Sequence, residues 1–229
     1  MESDLTKELE TDVEHEDHIG RRFLHMLSSV VGVAYVFGIL AWGRIQLLTG
    51  LGTLIIVALE FDRLVLGNSL FDPLYRDYEE ETPAGYAFAV VGMFIAVALY
   101  PPSVAVVAVF VLAFADPIVG IIGTGKLRRV KPPRVLASMF VLAFVIAIGS
   151  SYVFDDVLVS VVGQQPLGFL NPFPDVEITV GQALVGALGA TFADGVKYRV
   201  KGYVVDDNVT IPVYSGALMT LYGLLPLGF

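Results

Sequence analysis

The chain has 229 residues, 55% of them hydrophobic and 16% charged, with a formal net charge of −9 and no cysteine. Soluble domains carry about 25% charged residues; so few charges, with a mean hydropathy of +0.73, argue against a water-soluble globule and for an integral membrane protein. Without cysteine there is neither a disulfide framework nor a thiolate-bound zinc or iron–sulfur centre.

Residues 1–20 form an acidic tail that holds eight of the 23 acidic side chains. A secretory signal would be basic here, so no cleaved targeting peptide is expected. The tail reads as a solvated, disordered arm or as a surface for a basic partner. The low pI of 4.7 suits a high-salt cytoplasm. Residues 21–229 form the membrane domain.

A helix needs about 20 mostly apolar residues to cross a bilayer. Seven segments qualify: Phe23–Ala41, Ile45–Leu66, Ala84–Tyr100, Ser103–Gly123, Pro133–Tyr152, Ile178–Val196 and Val209–Gly228. The expected fold is therefore all-α, a polytopic membrane protein with about seven transmembrane helices; no period of two announces a barrel. Thirteen of the 14 Lys and Arg residues fall on one side of these spans, with Arg44 alone on the other. The positive-inside rule then puts the N-terminus and the basic loops in the cytoplasm and the C-terminus outside.

Ionisable residues at membrane depth are costly and so are functional candidates. His25 opens the first span, one turn from Arg21 and Arg22. Glu60 lies in the second, three residues before Arg63, with which it could simply pair. Arg76 and Glu79, in the following loop, also stand at ion-pair spacing or form a solvated loop. Asp116 in the fourth span has no basic residue within a turn, and Pro117 after it disfavours helical geometry and removes a donor. This predicts a broken helix lining a cavity.

Past Asp116 come Gly120, Gly123 and Gly125, then Lys126, Arg128, Arg129, Lys131 and Arg134. Glycines admit close backbone approach and basic side chains complement phosphate oxygens, so these are parts of a nucleotide site; alternatively the loop only fixes topology and touches anionic lipid. Residues 120–126 fit G-x-x-x-x-G-K, but Leu127 replaces the Mg²⁺-binding hydroxyl and a span precedes it, so a Walker P-loop is rejected. Asp194 lies in the sixth span, close to Lys197. Asp206, Asp207 and Asn208 precede the seventh; the acids could hold a metal, or Asn208 and Thr210 could cap the helix.

Taken together, these residues resemble the dolichol kinase group of polyprenol kinases. The resemblance rests on Arg21-Arg22-Phe-Leu-His25, Glu60-Phe-Asp-Arg63, Arg76-Asp-Tyr-Glu79, Asp116-Pro-Ile-Val-Gly120-Ile-Ile-Gly123 and Asp207-Asn208-Val-Thr210-Ile-Pro212, in that order. Asp194 falls where similar proteins place an acid. The family's Lys-Ser/Thr-x-Glu-Gly-Ser stretch is here Lys131-Pro132-Pro133-Arg134-Val135-Leu136.

The resemblance implies an enzyme of the plasma membrane that transfers the γ-phosphoryl group of CTP to the terminal hydroxyl of a polyprenol or dolichol, with Mg²⁺ as cofactor and the active site cytoplasmic. It implies catalytic roles for Asp116, Glu60 and His25 and metal binding by Asp116 and Asp207. Gly120, Gly123, Gly125, Lys126, Arg128, Arg129 and Lys131 would hold the nucleotide, with Arg21, Arg63, Arg76, Glu79, Asp194 and Asn208 completing the polar site. The partners expected are the lipid substrate, the nucleoside triphosphate and membrane lipids, not nucleic acid. The alternatives are a CTP-dependent cytidylyltransferase making CDP-lipid, and a transporter whose intramembrane acids carry ions.

Overall fold

The computed structural model describes residues 25–68, 79–123, 130–153, 170, 176–196, 198–200 and 203–225. After a turn from His25, α1 covers Ser29–Val36, followed by α2 (Trp42–Leu66), α3 (Gly85–Leu99) and α4 (Pro102–Phe110). A π-helical turn, Val111–Ala115, joins α4 to α5 (Asp116–Ile122). Then come α6 (Pro133–Val153), α7 (Val180–Gly195), the strands β1 (Tyr198–Val200) and β2 (Tyr203–Val205), and α8 (Asp207–Gly223).

Three helical stretches are long and apolar enough to cross a membrane: Trp42–Leu66, Pro102–Ile122 and Pro133–Val153. The other expected spans are also helical but shorter. α3, α7 and α8 have 15, 16 and 17 residues, and at about 1.5 Å per residue each falls short of a hydrocarbon core about 30 Å thick. The first stops at Val36, where the chain turns through Gly38 with φ 63°. The all-helical expectation holds, with one short strand pair added. Residues 198–205 contain an antiparallel strand pair, with Tyr198 opposite Val205 and Val200 opposite Tyr203; five of the six strand residues are Tyr or Val in a stretch that offers no helical apolar stripe.

Local signals account for the helix ends. Gly67, at φ 74°, closes α2 by donating its N–H to the Arg63 carbonyl at 3.2 Å, a left-handed cap that glycine adopts without a Cβ penalty. Pro102 starts α4, where a missing N–H costs nothing. Thr179 and Gln182 form a capping box at the start of α7.

A polar inner face and an apolar outer face distinguish α2. Its buried residues include Gln46, Thr49, Thr53, Glu60 and Arg63, whereas Leu54, Ile55 and Phe61 are 68%, 59% and 64% exposed. Several of these side chains bond to backbone carbonyls: Gln46 donates to the Val97 carbonyl at 3.2 Å, and Thr53 to those of Thr49 (2.8 Å) and Val90 (3.4 Å). Water would favour the reverse arrangement, so this helix is built for a hydrocarbon surround. α4 is buried from Pro102 to Val109 and forms the centre of the bundle. α7 packs between α6 and α8, brought close by small residues. A Cβ on Gly189 would lie 2.8 Å from the Tyr214 carbonyl oxygen of α8.

Asp116 departs from expectation. It is helical (φ −59°, ψ −49°), and the helix runs on through Pro117. The disruption occurs one turn earlier, where the Asp116 N–H reaches back to the Val111 carbonyl and widens the helix into the π turn. A proline ring clashes with the carbonyl four residues before it, here that of Ala113, and the wider turn accommodates it without breaking the helix.

Candidate carboxylate–lysine site

Three helices bring an aspartate each to one place. Asp116 is the first residue of α5, Asp194 the penultimate residue of α7 and Asp207 the first residue of α8. One carboxylate oxygen from each lies within 4.8 Å of the others. The Asp194 side chain is fully buried, while those of Asp207 and Asp116 are 15% and 21% exposed. Asp206 enables this placement, because its side chain caps α8 by accepting the Asn208 N–H at 2.9 Å. The cap was expected at Asn208 or Thr210. With Asp206 at the N-cap, Asp207 falls into the first turn, where the helix dipole favours a carboxylate.

Lys131 reaches into the cluster from the chain before α6. Its backbone N–H donates to the Gly195 carbonyl at 3.0 Å, and Val130 forms a bridge with Val196. Residues 130–131 are thus stitched to the end of α7, next to Asp194. The Lys131 ammonium ion-pairs with Asp194 Oδ1 and lies 3.7 Å from Asp207 Oδ2. Burial lowers its pKa, but the carboxylates of Asp207, Asp194 and Asp116 outweigh burial and hold it above the ordinary lysine value. The neighbour expected for Asp194, Lys197, lies outside the described residues.

His25 Nδ1 stands 4.0 Å from Asp116 Oδ2, and the imidazole is buried. The structure therefore joins Asp116, His25, Asp194, Asp207 and Lys131 from positions up to 182 residues apart. Its donor set is three carboxylates, the hard oxygen ligands that suit Mg²⁺. Among the described residues the second Asp194 oxygen, Oδ2, is buried without a hydrogen-bond partner, so acceptor capacity remains and the residues fit a magnesium ion.

Glu60, expected in the catalytic group, belongs to a second cluster. Arg63 donates from Nη2 to Glu60 Oε1 at 2.6 Å and from Nε to Oε2 at 3.2 Å. The same carboxylate accepts the Ala84 N–H at 2.6 Å and the Tyr86 hydroxyl at 2.5 Å. Arg63 also donates to the carbonyls of Glu79, Glu80 and Thr82 at 3.1, 3.1 and 2.7 Å. The pairing of Glu60 with Arg63, one of the two sequence readings, is therefore observed. It clamps residues 79–86 over the end of α2 and positions the start of α3. Glu79 contributes by accepting the Gly85 N–H at 3.2 Å.

The two clusters are linked through Asn208. Its side-chain amide, buried, donates to the Gly85 carbonyl at 3.0 Å, tying the start of α8, and with it Asp207, to the clamp. Asn208 therefore serves as a strut here and not as a ligand of the aspartate cluster. Gly120 lies inside α5, with open space where a Cβ would project. Gly123 ends that helix with its N–H on the Val119 carbonyl at 2.8 Å. The anticipated phosphate cradle does not include Gly120 as a loop residue, because α5 continues past it. Gly125, Lys126, Arg128, Arg129, Arg21 and Arg76 lie outside the described residues, as does the acidic tail.

Sequence reasoning singled out Asp116 and Asp207 as metal ligands and placed Asp194 only among the other polar residues. The missed signal was an intramembrane acid whose partner is remote in sequence, 63 residues away. Val33, Phe37, Phe110, Phe114 and Ile146 are among the residues lining an apolar cavity of ≈ 300 Å³ between α1, the α4–π-turn segment and α6. Comparison with protein-family models, curated proteins and solved structures finds no match to the chain.

Proposed function

We propose that the chain is a polytopic enzyme of the plasma membrane, with seven transmembrane helices and a cytoplasmic active site, that phosphorylates a polyprenol with CTP. The observation that carries this reading is the convergence of Asp116, Asp194, Asp207 and Lys131 at one end of an apolar helical bundle. Such an array suits phosphoryl transfer, in which catalysis is mainly positioning and charge stabilisation. The apolar cavity beside α1 adds a place for an isoprenoid tail, and the inside-out character of α2 suits a lipid surround. Of the four shorter helices, α3, α7 and α8 are accommodated by local thinning of the bilayer, and the first, described from His25 to Val36, requires the most.

Asp116, Asp194 and Asp207 would hold Mg²⁺, which when bound would neutralise charge on the β- and γ-phosphates. Lys131, together with Lys126, Arg128 and Arg129, would bind the triphosphate oxygens. Asp116 takes the proton of the lipid hydroxyl, with His25 beside it to stabilise and relay that proton. The alcohol oxygen bonds to the γ-phosphorus as the bridging bond to CDP breaks, giving polyprenyl phosphate and CDP. Glu60 and Arg63 act at a distance by holding the start of α3, and Asn208 carries that position to Asp207.

Membranes containing the chain, supplied with Mg²⁺, polyprenol and γ-labelled CTP or ATP, test the reading. Label should enter the organic phase from CTP, and Asp116→Asn should reduce it by about 10²-fold or more, as expected for loss of a proton-transfer group. Label entering only from the α-position of CTP would identify a cytidylyltransferase. No label from any nucleotide, with Asp116-dependent ion uptake, would identify a transporter.

A further inference from the structure

We propose that Lys131 is the resident cation of the aspartate cluster and that a divalent cation bound by Asp116, Asp194 and Asp207 displaces its ammonium from Asp194. The inference rests on the kinase reading and deepens it, since it gives Lys131 two successive positions at the metal-binding aspartates. Three carboxylate oxygens within 4.8 Å of one another repel strongly unless a cation lies among them. In this state the Lys131 ammonium fills that need, paired with Asp194 Oδ1 and 3.7 Å from Asp207 Oδ2.

The lysine neutralises the site without saturating it. Among the described residues, Asp194 Oδ2 is buried with no hydrogen-bond partner. A buried carboxylate oxygen left without a donor retains acceptor capacity that a cation could use, here on the most enclosed member of the cluster. The oxygens lie within 4.8 Å of one another, somewhat beyond the roughly 4.2 Å that two opposed magnesium–oxygen bonds would span, so the carboxylates would close in on a bound ion. A divalent ion at that position would repel the ammonium.

Lys131 is able to leave. Its backbone is fixed by the hydrogen bond to Gly195, but its side chain is 23% exposed and has a flexible four-carbon stem. The ammonium can therefore swing outward with no movement of α6 or α7. In the kinase reading it moves onto the triphosphate that arrives with the metal, so metal and nucleotide binding reinforce one another.

Purified full-length protein, without nucleotide or lipid, is titrated with Mn²⁺ and followed by electron paramagnetic resonance. Lys131→Met should bind Mn²⁺ about tenfold or more tighter than wild type, and Asp194→Asn about tenfold or more weaker, the range usual for altered metal surroundings. Equal or weaker binding by Lys131→Met would overturn the proposal, as would unchanged binding by Asp194→Asn. Thermal unfolding guards against a folding defect. Lys131→Met should be stabilised by Mn²⁺ more than wild type is, whereas a variant unfolded both with and without Mn²⁺ would also overturn the proposal. Because no nucleotide is present, failure of CTP-dependent labelling with these Mn²⁺ results intact would sink the kinase assignment and leave the displaced lysine standing.

Discussion

Glu60 and Asp194 are both buried carboxylates facing a basic side chain, yet their surroundings assign them different work. Both oxygens of Glu60 are engaged by Arg63, Tyr86 and the Ala84 N–H, so nothing is left for a reaction. One oxygen of Asp194 has no partner among the described residues and stands beside two further acids. Removing one member of a buried ion pair leaves the other charge uncompensated, at a cost of about 3–5 kcal/mol. Glu60→Gln keeps part of the hydrogen bonding, so a loss of about 2–3 kcal/mol is expected on unfolding in detergent. Asp116→Asn should leave unfolding nearly unchanged while abolishing turnover. A stable, inactive Glu60→Gln would return Glu60 to the catalytic group.

Helix contacts convert these local arrangements into a site. The π turn lets one helix carry Pro117 and still present Asp116 in helical geometry, a device often found next to functional residues. α8 is held against α3 at Gly92, where a Cβ would lie 2.5 Å from the Asn208 carbonyl oxygen, 2.9 Å from the Val209 Cα and 3.0 Å from Pro212 Cγ. Two of these obstacles are backbone and cannot rotate away. Gly92→Ala should therefore push the start of α8 outward, destabilise the protein by about 1–3 kcal/mol and lower turnover by displacing Asp207. Gly149→Ala serves as the control, because open space surrounds its Cβ position; equal effects on unfolding would sink this account of the α3–α8 contact.

In the proposed topology the distribution of basic residues orients the whole chain, and the absence of cysteine makes that orientation directly measurable. Arg134 begins α6 on the basic side and Glu177 precedes α7 on the other, and both are exposed. A membrane-impermeant maleimide added to intact cells should modify Glu177→Cys and should reach Arg134→Cys only after permeabilisation. The opposite pattern would invert the topology and place the aspartate cluster outside, away from cytoplasmic nucleotide.

Helical character, the approximate places of the helices and the suspicion falling on Asp116, Asp207 and His25 were legible in the amino-acid order. Each depends on local information: runs of apolar residues, a proline after an acid, or a charge where hydrocarbon makes it costly. The Glu60–Arg63 pair was legible for the same reason, being three residues apart on one helix. The helix lengths, the strand pair at 198–205 and the helical state of Asp116 were not, because packing and backbone accommodation override local preference. Nor could the order of residues show that Lys131 answers Asp194 across 63 positions. That meeting depends on the Lys131–Gly195 hydrogen bond and the Val130–Val196 bridge, contacts that exist only once α6 and α7 have packed together.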